Sequence, residues 1–324
     1  MIIAAGESLI DMLPVDQGGK RFFLPAPGGS PYNVSMALGR LGVPVQFLCR
    51  LSEDPFGKLL ARTLEGSRVD LSLCPRTPAL TTLGFVLLDG LKCDPSYVFY
   101  TENTAGCALE PGDIPQRLAP EVHCLHFGSF SLAAEPIGSA LEKLLSLKTA
   151  QVMVSLDPNI RPFLVRSREE FLPRLEHFLA AADLLKLSEE DLAWMHPGLS
   201  AKDCCRKYVA AGVGLVVVTC GAKGAVGMNA CGTVEVPAER VSVADTVGAG
   251  DTFQAALLAW IRREHGLKAE VLRTLDVGEL KDLLSFAAKA ASITCSRAGC
   301  TPPWQHELNC AAATQPQIDA DRHR

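Results

Sequence analysis

The run Asp245-Thr246-Val247-Gly248-Ala249-Gly250-Asp251-Thr252 closes a turn of small residues on a carboxylate and leads into a helical pattern. Phe253, Ala256, Leu257, Trp260 and Ile261 recur at helical spacing, and Gly266 supplies a stop. A helix starting within residues 248–251 leaves backbone N–H groups without intrahelical acceptors and adds the positive end of its dipole. Both features suit a phosphate. Gly248, Ala249 and Gly250 let the backbone close around an anion, and Asp251 brings a proton acceptor beside it, which is the equipment of a group-transfer site. A second glycine turn, Gly28-Gly29-Ser30-Pro31-Tyr32-Asn33, reads the same way. Ser30 can cap the helix, Pro31 fits its first position, and Asn33 offers an amide from the first turn. Each turn alone would more often be a tight connection between elements than a functional site.

Alternating elements must hold these turns. Residues 2–5, 43–49, 122–127, 151–156, 184–187 and 215–219 read as strands, most of them apolar throughout as buried parallel strands are. Amphipathic segments lie between them. In residues 31–41, Val34, Ala37, Leu38 and Leu41 form one face, and Gly42 ends the helix. The βαβ alternation predicts an α/β fold with a doubly wound, mostly parallel sheet. Residues 20–27 and the two runs within 81–100 break that pattern and read as a hairpin and its neighbour, forming a small β lid over about 12–27 and 80–102. Periodicity ends near Leu308, and residues 309–324 read as a disordered tail after a single domain spanning 1–308.

The chain has 324 residues, 48% of them hydrophobic, with a net charge of −5 and a pI near 5.8. No Lys/Arg cluster suggests nucleic acid or an anionic membrane as partner, and no apolar run reaches spanning length. Residues 1–13 lack a basic leader region and contain Glu7 and Asp11, so a cytoplasmic protein acting on small molecules is expected. The twelve cysteines are scattered without a CxxC pair. His123 and His126 have HxxH spacing, but on a strand residues three apart face opposite ways, so no metal is expected there.

Taken with GESLID at residues 6–11, DPNIRP at 157–162, TCGAKG at 219–224 and the SRAGCTPPW run near the end, the two glycine turns form an ordered set. This set resembles the PfkB (ribokinase-like) family of carbohydrate kinases, and most of all its bacterial fructokinase branch, from Met1 to about Leu308. The residues 245–258 match the family's second signature throughout. The first signature is matched until its last glycine, which here is Ser52.

The resemblance implies a ribokinase-like three-layer fold with a lid and ATP-dependent phosphorylation of a sugar. Asp251 takes the place of the general base, and the amides of Gly248, Ala249 and Gly250 would stabilise charge on the transferring group. Asp11, Gly28, Gly29 and Asn33 match sugar-binding positions, Arg161 matches an arginine near the sugar or transferred phosphate, and Phe99 with Tyr100 would cover the sugar. Lys186, Ser188, Thr219, Gly221 and Gly224 fall with the nucleotide. The common NxxE motif of magnesium organisation is here Ser188-Glu189-Glu190-Asp191, which places Asp191 near Mg2+. Asp245 and the backbone near Gly299 are the counterparts of a monovalent-cation site, with K+ as the ion.

D-Fructose, phosphorylated on its 6-hydroxyl, is the first expectation, from GRLGVPVQF, RLSEDPFG, FYTENTAG and DPNIRP. 2-Keto-3-deoxygluconate competes, although Glu102 on the lid would repel its carboxylate; ribose or a nucleoside stays open. A sugar sensor without turnover would have no use for Asp251, and a dinucleotide oxidoreductase would need a GxGxxG that GESLID does not supply. A homodimer through the lids is expected, since pairing would protect the edges of a small sheet.

Overall fold

The structure is a computed structural model, and it describes residues 1–87 and 96–310. In chain order come β1 (Ile2–Ala5), β2 (Leu9–Gln17), β3 (Lys20–Gly28), α1 (Ser30–Arg40), β4 (Val45–Leu48), β5 (Leu51–Ser52), α2 (Pro55–Gly66), β6 (Arg76–Thr77), β7 (Leu83–Leu87) and β8 (Ser96–Tyr100). Next are β9 (Cys124–Gly128), α3 (Ile137–Ser146), β10 (Met153–Asp157), α4 (Arg168–Ala181), β11 (Leu184–Ser188), α5 (Glu189–Met195), α6 (Ala201–Ala210) and β12 (Leu215–Thr219). The chain continues through β13 (Ala225–Asn229), β14 (Gly232–Val236), α7 (Ala249–His265), α8 (Ala269–Leu272), α9 (Val277–Cys295) and α10 (Gln305–Cys310).

Eight strands form the main sheet in the order β14-β13-β12-β11-β10-β9-β1-β4. The six strands read from the sequence are its parallel part. Period-two alternation along each strand feeds two cores, one on either face. Ile2, Cys124, Met153, Leu184, Leu215 and Val217 join α1, α2, α7 and α9. Ile3, Leu125, Val154, Leu185, Val216 and Val218 join α3, α4 and α6 on the other face. These are the three layers expected. The sheet is less uniformly parallel than the sequence pattern indicates, because β12, β13 and β14 run antiparallel at one edge. Gly227 lies inside β13 because Leu284 of α9 fills the space a side chain would take; a Cβ there would meet it at 2.8 Å.

The lid is a separate four-stranded sheet, β3-β2-β7-β8. The hairpin read within 81–100 is present as antiparallel β7 and β8, and its turn lies outside the described residues. β2 leaves β1 directly and pairs with β3 and β7, so the lid is rooted beside the first strand of the main sheet. Residues 309 and 310 still belong to α10, where a tail is expected; residues 311–324 lie outside the described part.

β1 lies between β4 and β9, so the chain's progression across the sheet reverses there. In open α/β sheets such a switch point opens a crevice at the carboxyl ends of the strands. Gly6-Glu7 after β1, Gly128 at the end of β9 and Asp157-Asn159 at the end of β10 all reach this crevice, and α1 and α7 begin above it. Among the described residues no helix is long and apolar enough to cross a membrane.

Candidate active site

α7 starts where the glycine turn predicts, with Gly248 as its N-cap in the left-handed region (φ 74°) and Gly266 ending it in the same conformation. A Cβ on Gly248 would lie 2.2 Å from Cys300 Sγ, so the loop after α9 closes on the turn only because residue 248 has no side chain. Thr252 makes the first intrahelical bond, to Gly248 O at 2.8 Å. The N–H of Ala249 closes a turn on Thr246 O at 3.2 Å. That bond corrects the expectation that amides 248–250 face an anion together. The N–H groups left without an acceptor among the described residues are those of Gly248, Gly250 and Asp251.

Asp251 is buried, and α1 holds it. Ser30 Oγ donates to its Oδ1 at 2.6 Å, Asn33 Nδ2 to its Oδ2 at 2.8 Å, and Asn159 Nδ2 to Oδ1 at 3.4 Å. Ser30 is therefore not the cap: Gly29, at φ 105°, holds that position, and the serine hydroxyl turns to the carboxylate 221 residues away in the chain. Burial raises the Asp251 pKa above the ordinary carboxylate range, opposed by the bonds from Ser30 and Asn33 and by the charges of Lys186 and Arg161. A carboxylate strengthened as a base in this way suits proton abstraction near neutral pH.

Lys186 on β11 lies behind the α7 terminus, its Nζ 3.1 Å from where a Gly250 side chain would begin. It pairs with Asp157 Oδ2 at 2.8 Å, and both side chains are almost fully buried. Burial alone would lower the Lys186 pKa, but the Asp157 charge and hydrogen bond, with Asp191 and Asp251, outweigh it and raise the pKa. Lys186 is thus an ammonium, and a positive charge stands at the back of the helix terminus, while burial pushes the Asp157 pKa up to about 7 against the pull of that ammonium. Beneath it His126 Nδ1 is 3.0 Å from Ser155 Oγ, to which Gln254 Nε2 also donates at 2.6 Å. Burial pushes the His126 pKa down to about 3, so the ring is neutral. His123 is exposed just before the strand, so the HxxH spacing makes no site.

On the lid, Asp11 lies between two glycines: a Cβ on Gly28 would meet its Oδ2 at 2.4 Å, and one on Gly84 its Oδ1 at 3.0 Å and the Phe99 ring at 2.7 Å. Cross-strand register puts Asp11, Gly28, Gly84 and Phe99 on one face. Tyr100 is on the opposite face, edge-on to Phe85, so of the two aromatics only Phe99 faces the crevice. Phe99 packs instead with Phe130 and Phe163 at the lid's root. Burial pushes the Asp11 pKa up to about 6, with Arg161 opposing and Asp251 adding to the rise. Arg161 donates to Asn159 Oδ1 at 2.6 Å, and its charge acts on both Asp11 and Asp251, so the structure brings these three together. Asn33 Oδ1 is buried without a partner and can accept from a ligand hydroxyl.

The nucleotide candidates are less uniform. Gly221 begins a 3-10 turn after β12 with open space where its side chain would be. Gly224 is glycine for another reason, since a Cβ there would collide with Val236 O at 1.9 Å. Thr219 Oγ1 donates to Leu187 O at 3.3 Å. Ser188 and Asp191 form a capping box on α5, and Asp191 also accepts from Ile160 N at 2.6 Å. Asp191 thus takes three hydrogen bonds and is buried, so here it caps α5 and ties it to the loop after β10. Asp245 accepts from Val247 N at 3.0 Å and Gly299 N at 2.9 Å, which joins the turn before α7 to the Gly299 loop. Among the described residues no group of three or more His, Cys, Asp or Glu could hold a metal ion.

Glu7, Ser30 as a partner of Asp251, Asn159 and Cys300 are the site residues that sequence reasoning misses. Glu7 and Asn159 stand inside the quoted motifs GESLID and DPNIRP, which was the available signal.

The pfkB family carbohydrate kinase model matches residues 5–307. A fructokinase of Rhizobium leguminosarum bv. trifolii is 40% identical over 288 residues, covering 87% of this chain and 86% of that protein. A crystal structure of fructokinase from Vibrio cholerae O395 in fructose-, ADP- and calcium-bound form aligns with a TM-score of 0.83 at 28% identity, over 95% of this chain and 97% of that one. Fructokinase from Xylella fastidiosa with bound ATP aligns with a TM-score of 0.84 at 28% identity, over 97% and 99%. The buried carboxylate at a glycine-rich helix start, the lid above it and these matches along nearly the whole length agree, and the chain belongs to the pfkB family of carbohydrate kinases.

Proposed function

We propose that this kinase transfers the γ-phosphoryl group of ATP to the 6-hydroxyl of D-fructose, with residues 1–308 acting as one domain. The observation that carries the proposal is Asp251: a buried carboxylate, held by Ser30 and Asn33, beside free helix-terminal amides with Lys186 behind them. Asp251 takes the proton as the sugar oxygen attacks. The amides of Gly248, Gly250 and Asp251 and the Lys186 ammonium offset charge gathering on the transferring group, which is where phosphoryl transfer needs help most. Asp11 and the Asn33 carbonyl accept sugar hydroxyls, Arg161 balances the charge between Asp11 and Asp251, and Phe99 closes the lid side. ATP lies toward Thr219, Gly221 and Ser188, with Gly224 shaping the turn.

The choice of fructose is supported by the relatives: the Rhizobium protein is a fructokinase, and the Vibrio fructokinase holds fructose and ADP. Mg2+ would enter with the ATP phosphates and keep most of its waters, since the acidic groups among the described residues form no cage for it. Asp245 takes one amide on each oxygen and keeps a lone pair on each, so K+ near this turn would be held by Asp245 together with backbone carbonyls of the loops it joins. Free ATP and sugar as substrates suit the cytoplasm.

One observation keeps 2-keto-3-deoxygluconate in the comparison. Glu102 pairs with Arg166 at 2.8 Å on the surface, which weakens the repulsion of an acid that the sequence alone implies. ATP turnover should be measured with fructose, 2-keto-3-deoxygluconate, ribose, glucose and adenosine. The largest kcat/KM should be on fructose; a preference for the keto acid would displace the substrate and keep the chemistry, and no sugar-dependent turnover would end the kinase reading.

Two further results are expected. The Asp11 pKa near 6 means that its acceptor carboxylate is lost as pH falls through that value, so the KM for fructose should rise below about pH 6. A KM flat between pH 5 and 8 would remove Asp11 from sugar binding. The lid face that carries Asp11 continues outward through Val15, Phe22, Leu24 and Tyr97, all exposed, which supports a homodimer through the lids. Light scattering should give twice the 34.7 kDa chain mass, and a monomer at working concentration would contradict it.

A further inference from the structure

We propose that Ser30 is a positioning residue for phosphoryl transfer: its hydroxyl occupies Oδ1 of Asp251 and so presents Oδ2 as the oxygen that takes the sugar's proton. The inference rests on Asp251 being the base. A carboxylate offers about four lone-pair sites. Ser30 at 2.6 Å and Asn159 at 3.4 Å take those of Oδ1, and Asn33 at 2.8 Å takes one of Oδ2. One acceptor position is left, on the same oxygen that Asn33 holds.

The serine is fixed well enough to do this. It is the first residue of α1, and its own N–H donates to Glu7 Oε1 at 3.2 Å. Glu7 is fully buried after β1, and its Oε2 accepts from Ser131 N at 3.3 Å in the turn after β9. Gly29 permits the approach, since a Cβ there would lie 2.8 Å from Glu7 O. The end of β1, the turn after β9 and the start of α1 are therefore tied at one buried carboxylate, and the Ser30 hydroxyl extends that framework to the base on α7. Ser35, by contrast, returns its hydroxyl to Pro31 O at 2.8 Å within its own helix, so the outward bond from Ser30 is specific to that position.

The groups facing Asp251 are Lys186 from β11, Asp157 from β10, Arg161 from the loop that follows β10, Asp11 from the lid and Cys300 from the loop after α9. None of them changes when Ser30 loses its hydroxyl. A hydrogen bond to the ionised form favours that form, so its loss raises the pKa of the base. The acid limb of kcat/KM then moves to higher pH, because a larger share of the enzyme is protonated at any given acid pH.

The test is the pH profile of Ser30→Ala and Ser30→Thr on fructose, with Asp251→Asn beside them. Ser30→Ala should lose about tenfold in kcat, keep its sugar KM within about twofold and shift the acid limb upward by about one pH unit. Ser30→Thr, which keeps the hydroxyl, should recover most of the rate and the original limb. A wild-type profile in Ser30→Ala overturns the positioning role, and so does a loss that appears as a raised KM with the limb unmoved. If Asp251→Asn keeps a kcat within about tenfold of the parent, the base itself is misassigned; if its kcat falls by about 10²-fold or more while Ser30→Ala is normal, only the role of Ser30 fails.

Discussion

Asp251→Asn should lower kcat on fructose by about 10²–10⁴-fold while leaving sugar binding close to that of the unaltered protein. The amide is the right size and keeps an acceptor for Ser30 Oγ, and a flip of the Asn33 amide would turn its unpartnered Oδ1 to the new NH2, so the N-terminus of α7 should stay docked on α1. What disappears is the lone pair that takes the proton. It also removes the charge that Lys186 and Arg161 face, so ATP, which is anionic, should bind no more weakly. Single-turnover measurement separates the outcomes. A slow chemical step with normal affinity for both substrates fits a base, whereas a variant that fails only at low sugar concentration would make Asp251 a binding group.

Lys186→Met should be the most damaging single change to stability, at about 3–5 kcal/mol. The side chains of Lys186 and Asp157 are 4% and 0% exposed, and Asp157 Oδ1 already has no partner. Removing the ammonium leaves Asp157 buried without its partner beneath the sheet's carboxyl edge, to be neutralised by a proton or to stand unbalanced, since burial already raises its pKa to about 7. Urea unfolding measures the loss. The double variant Lys186→Met with Asp157→Leu should regain most of that stability without regaining activity, because apolar packing can replace a buried pair but not a charge behind the phosphate site. A single variant within 1 kcal/mol of the parent would mean that the pair does not hold the charge there.

The start of α7 is legible in the sequence because its cause is local: a turn that needs glycine, followed by apolar residues at helical spacing. The parallel strands are legible for a similar reason, since runs buried on both faces are mostly apolar and β-branched or leucine-rich, with the polar exceptions His126, Ser155, Asp157 and Lys186 set among them. The β13–β14 hairpin is not, because Gly227 interrupts the strand-like residue pattern in order to admit Leu284, and that neighbour lies 57 positions further along the chain. Ser30 reads as a cap because serine before a proline favours one; nothing nearby announces that the hydroxyl has a buried carboxylate from another helix to reach. Asp191 shows the opposite case. Ser188-Glu189-Glu190-Asp191 is also a capping-box pattern, and the local signal describes the structure better than a metal role does. The lid's existence follows from hairpin-like strands that have no place in a parallel sheet, whereas the orientation of Phe99 and Tyr100 depends on register, which composition does not fix.

The most direct test is the position of the new phosphate. Enzyme, ATP, Mg2+ and 13C-labelled fructose should give a single sugar phosphate whose phosphorus couples to C6 in NMR, with ADP formed in equal amount. A phosphate on C1, or ADP without any sugar ester, would contradict the account.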